Sequence, residues 1–74
     1  MSPFPKYTVL TNLVSPESGE FVGTSWEFFR DEGHASLCYQ RQIKAGNVPT
    51  IRPFHKDDID HMGAAHRAEL KAHG

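Results

Sequence analysis

The chain has a single cysteine, Cys38, among 74 residues, so no intrachain disulfide can brace it. A core this small must then be held by packing, by a metal or by a partner. Long apolar runs are missing too: nowhere do about 18 apolar residues follow one another, which excludes a membrane-spanning helix. The opening stretch MSPFPKYTVLTNLV lacks a positively charged region leading into an unbroken apolar one, so no secretory signal is expected. Neither sign of charge is in excess, with a formal net charge of -1 and a pI near 6.5. That balance denies the concentrated positive field that nucleic acids and anionic membranes need, and leaves only local patches for such a role. One unpaired thiol and no targeting segment point to the cytoplasm.

Catalytic signatures are equally scarce. No glycine-rich loop could cradle a phosphate, and none of the serines sits in a nucleophile elbow or a triad context. Cys38 falls within a helical stretch on its apolar stripe, whereas reactive thiols favour helix amino termini or cationic surroundings, so core packing is expected of it. A chain of this length buries only about 60% of the surface its unfolded form exposes, which leaves little room to enclose a substrate. No enzymatic activity and no cofactor are expected.

What is present is the composition of a soluble globular domain, 38% hydrophobic and 23% charged. Residues 1–5, with Pro3 and Pro5, read as an extended lead-in, and residues 6–74 as one α+β domain. Tyr7 to Val14 has the β-branched and aromatic content of a strand. Ser15-Pro16-Glu17-Ser18-Gly19 is turn chemistry, and Glu20 to Phe29 is the returning strand of a hairpin, with Gly23 marking a bulge or a close backbone approach. On that second strand Val22, Thr24, Trp26 and Phe28 are the expected core face. Asp31 is placed to cap a helix from Glu32 to about Ala45, with Ala35, Cys38, Tyr39, Gln42 and Ile43 facing inward and Gly46 ending it.

Val48 to Phe54 is extended, but Pro49 and Pro53 each remove a ladder donor, which assigns the segment to a sheet edge. A last helix is expected to start at Asp57 or Asp58 and reach about Ala72, with Ile59, Met62, Gly63, His66 and Leu70 on one stripe. Gly63, Ala64 and Ala65 would let a neighbouring backbone approach, or else Gly63 breaks the helix. The resulting fold is β-β-α-β-α: a three-stranded, mostly antiparallel sheet in the order 2-1-3 with both helices on one face. The uncovered face or a strand edge would then be the partner surface.

Three of the five histidines, His55, His61 and His66, lie among Asp57, Asp58 and Asp60, a set of donors that suits a divalent ion. Their spacing does not, because His61 and His66 are five apart on a helix and diverge, so no metal ligand is assigned. His34 and His73 read as surface residues. Aromatic rings at Tyr7, Trp26, Phe28 and Phe54, with basic residues Arg30, Arg52 and Lys56, make a nucleic-acid-binding module the alternative reading. The favoured one is a small protein-interaction or adaptor module that forms a homodimer through a sheet edge or its last helix, with Arg52, Phe54, His55, Gly63 and His66 as contact residues. Its size fits an accessory protein of a mobile element, an argument that assigns no mechanism.

Overall fold

The computed structural model describes residues 4–73; the expectations for residues 1–3 and for the side chains of His66 and His73 lie outside the described residues. Strand β1 (Tyr7–Val14) runs into β2 (Phe21–Phe29), helix α1 (Glu32–Lys44), strand β3 (Val48–Pro53), a 3-10 helix (Lys56–His61) and helix α2 (Ala64–His73). The sheet is antiparallel throughout, in the order β2-β1-β3. The strand order and the α+β class are those expected from the sequence.

Local chemistry accounts for each boundary. Between β1 and β2 the Gly19 N–H donates to the Ser15 carbonyl at 2.8 Å, and Gly19 takes φ 74, a backbone state open to glycine at no steric cost. The register of the hairpin slips by one residue where Leu13 faces Gly23 but Val14 faces Phe21, so Val22 is the extra residue of a bulge beside Gly23. Asp31 caps α1 by accepting the Gly33 N–H at 2.9 Å. Gly46, at φ 88, lets the chain leave α1 and turn back into β3.

Asn47 then stitches the turn to the sheet. Its side-chain oxygen accepts the Val14 N–H at 2.9 Å, just beyond the first residue of β3, and its amide donates to Gln42 Oε1 at 2.9 Å. A donor of the central strand that would otherwise be orphaned is thereby satisfied.

Alternation along the strands divides the core in two. Tyr7, Val9 and Thr11 share one face with Phe29 and Ile51, and α1 packs there through Ala35 and Cys38. Thr8 and Leu10 share the opposite face with Phe28, Trp26 and Arg52, and here Phe28, with Phe4 and Phe54, meets Ile59, Met62 and Leu70. The expectation of both helices on one face is therefore corrected: α1 lies on one side of the sheet and the 3-10 helix with α2 on the other. Dimensions supply the reason. Three strands span about 10 Å between outer axes, and a helix with its side chains is about 10 Å wide, so α1 alone covers that face.

The last segment also differs in form. It is broken at Met62 and Gly63 into a 3-10 turn and a short α-helix, and the capping residue is His55 rather than Asp57 or Asp58. Gly63 breaks the helix and does not mark close packing, because a methyl group built there would meet nothing within 4 Å. Ile43, expected to face inward, is half exposed at the end of α1.

Replacing Gly46 with Ala should lower stability by about 1–2 kcal/mol, since a side chain at positive φ meets its own carbonyl. The midpoint of urea denaturation followed by circular dichroism checks this, and Gly63→Ala, free of that strain, should leave the midpoint unchanged or raise it.

Candidate interaction surface

The 3-10 helix is fastened to the sheet by one carboxylate. Asp58 is buried on the second face, where the Thr8 hydroxyl donates to its Oδ2 at 2.8 Å and the Arg52 guanidinium donates to its Oδ1. The His55 N–H donates to Oδ2 at 3.1 Å, and with the Asp57 N–H donating to His55 Nδ1 at 3.2 Å this closes a capping box. Burial opposes ionisation of Asp58, yet the hydrogen bonds from His55, Thr8 and Arg52, with the Arg52 charge, outweigh it and hold its pKa below the ordinary carboxylate value.

Beside this anchor the His61 ring lies flat on Trp26, with centroids 3.7 Å apart and 3° between planes, and the Arg52 guanidinium is 5.9 Å from the Trp26 ring. Phe54 meets Phe28 edge-on at 5.8 Å and Phe4 at 6.3 Å. Phe4 thus gives the lead-in a packing role that its composition did not announce.

The sequence-derived contact residues separate accordingly. Arg52 and Phe54 face the same side but are engaged within the chain, Arg52 by Asp58 and Phe54 by the aromatic cluster. His55 and Gly63 are exposed in the connecting turns, and the His66 side chain is outside the described residues. Of the nucleic-acid candidates, Trp26 is half-buried with one ring face taken by His61, Arg52 is paired, and Arg30 and Lys56 are exposed. The aspartates and histidines of the 3-10 segment serve different tasks: Asp58 anchors, His55 caps and His61 stacks.

The two outer strands are unequal, and the sequence alone could not show it. The Phe54 N–H donates to the Lys6 carbonyl at 2.9 Å, and Tyr7 faces Pro53, which has no N–H. Residues 48, 50 and 52 therefore bond to β1, while 49, 51 and 53 turn their main chain outward. Two of those three are prolines, so the free edge of β3 offers the Ile51 N–H alone.

On β2 the opposite parity applies. β1 directs Tyr7, Val9 and Thr11 toward Phe29, Glu27 and Ser25, and Thr24, Trp26 and Phe28 turn their N–H and C=O groups to the open edge. No main-chain partner meets them among the described residues. Proline is absent from β2, and Phe21 and Val22 at its start are 63% and 65% exposed.

Cys38 is buried against Val9, and its thiol donates to Glu27. Burial, then the hydrogen bond and charge of Glu27, push the thiol up to about 11, with Arg41 acting weakly the other way. Comparison with protein-family models, with curated proteins and with solved structures gives no match.

Two measurements test this geometry. Because Asp58 is more acidic folded than unfolded, its stabilisation is present above the unfolded value and is lost as pH falls through the folded one. Unfolding midpoints should therefore decline below about pH 4, and Asp58→Ala should lower stability by about 3 kcal/mol at neutral pH while flattening that decline. Thiol titration of the folded protein near pH 8 should show Cys38 reacting far more slowly than in denaturant; equal rates would contradict its burial.

Proposed function

We propose that this chain is a non-enzymatic protein-interaction module that self-associates through its sheet edge. The observation that carries the reading is the open main chain of β2, with exposed Phe21 and Val22 at its start, in a fold whose other edge is blunted by proline. Shape supports it. The protein exposes 5179 Å², against about 4,600 Å² for a compact monomer of its mass. Its radius of gyration is 13.5 Å, against about 11 Å for a compact domain of this length.

Nucleophilic chemistry at Cys38 is opposed by its buried, poorly acidic thiol. A nucleic-acid role would need Trp26 to exchange His61 for a base and Arg52 to leave Asp58, and the exposed Lys56 is followed in the chain by exposed Asp57 and Asp60. Among the described residues no helix is long and apolar enough to cross a membrane, and the reading places the module in the cytoplasm, where a lone thiol stays reduced.

Light scattering over a concentration series should show the mass rising from 8.3 kDa toward twice that value, unchanged by a chelator and by added single-stranded oligonucleotide. A particle that stays at 8.3 kDa throughout overturns self-association.

A further inference from the structure

We infer that β2 pairs antiparallel with β2 of a second copy about a two-fold axis at Trp26, joining two three-stranded sheets into one of six strands. The inference rests on the self-association reading and specifies its surface and register.

Only Thr24, Trp26 and Phe28 turn their main chain to the open edge in regular strand geometry, because the bulge at Val22 ends the ladder. A two-fold pairing that sets at least two different ones of these residues against each other leaves three registers. Centred on Glu27, it would set two carboxylates directly opposite each other, a destabilising arrangement. Centred on Ser25, it would pair Thr24 with Trp26 and send Phe28 of each copy to the bulged Val22 of the other, so a pair of bonds at each end would fall on distorted backbone. Centred on Trp26, it pairs Trp26 with its own copy and Thr24 with Phe28 on both sides of the axis, and all three outward residues are used.

That register also sets charges well, because Glu27 faces Ser25 of the second copy and not a second carboxylate. The occupant is a second copy because the edge is complementary to itself in this register, as a two-fold interface requires. Association also terminates, because both outer edges of the six-stranded sheet are then β3 strands with prolines at 49 and 53.

The test combines light scattering with crosslinking on the full chain. Thr24→Pro removes one outward donor per copy without touching the β1 ladder, and should raise the dimer dissociation constant by about tenfold or more with an unchanged circular dichroism spectrum. Trp26→Cys should form an intermolecular disulfide on mild oxidation, since directly opposed residues lie about 5.5 Å apart between Cα atoms. Thr24→Cys should not, because four residues of offset separate the two copies by about 13 Å. A wild-type dimer that survives Thr24→Pro, or that crosslinks through Thr24→Cys instead of Trp26→Cys, overturns this register and leaves self-association standing. A wild-type protein that is monomeric at every concentration overturns both.

Discussion

One buried carboxylate gives this fold its second side. Asp58 collects a hydroxyl from the central strand, a guanidinium from the edge strand and the main-chain N–H of His55, so three parts of the chain meet at a single group. Removing a charge from water is unfavourable unless hydrogen bonds and an opposite charge replace the lost hydration, and here they do. No unsatisfied polar side-chain atom is buried among the described residues, so the polar core is complete around this group. The Ile59, Met62 and Leu70 cluster depends on it, because the 3-10 turn that carries Ile59 and leads into Met62 is held in place at Asp58.

Two thin cores follow from a narrow sheet. Three strands offer each face width for only one helix, and α1 occupies the first face with little more than Ala35 and Cys38 fully buried. The second face receives the short remaining segment, whose aromatic contacts with Phe4, Phe28 and Phe54 compensate for its length. Neither layer is deep. The burial that a larger domain obtains from its interior is incomplete here, which is the physical ground for expecting further burial against another molecule.

The elements that could be read from sequence are those specified by near neighbours. Asp31, Gly19 and Gly46 mark boundaries through their own conformational preferences, and the alternation of Tyr7 to Val14 and of Phe21 to Phe29 supplies the hairpin. The side taken by the last segment was not readable, because it is decided by a hydrogen bond between Thr8 and Asp58 across 50 positions, and Asp58 resembles an ordinary helix cap in sequence. Prolines 49 and 53 identified an edge strand, yet they also disable that edge, and only the pairing with β1 shows which main-chain groups they remove. Arg52 and Phe54 had the residue types of interface anchors. Their engagement by Asp58 and by the aromatic cluster is again long-range, as is the stacking of His61 on Trp26.

The order β2-β1-β3 has a consequence for how the chain comes together. The middle strand is made first, and its hairpin partner follows after a short turn, but the third strand arrives only after the whole of α1, with Val14 and Asn47 separated by 33 positions. Closing that longer loop carries a larger entropic penalty, so the hairpin is favoured to assemble ahead of it. Until β3 docks, β1 has a bare flank, and the prolines that blunt the finished edge protect nothing. The nascent chain is most exposed to mispairing in the interval between forming its first helix and laying down its third strand.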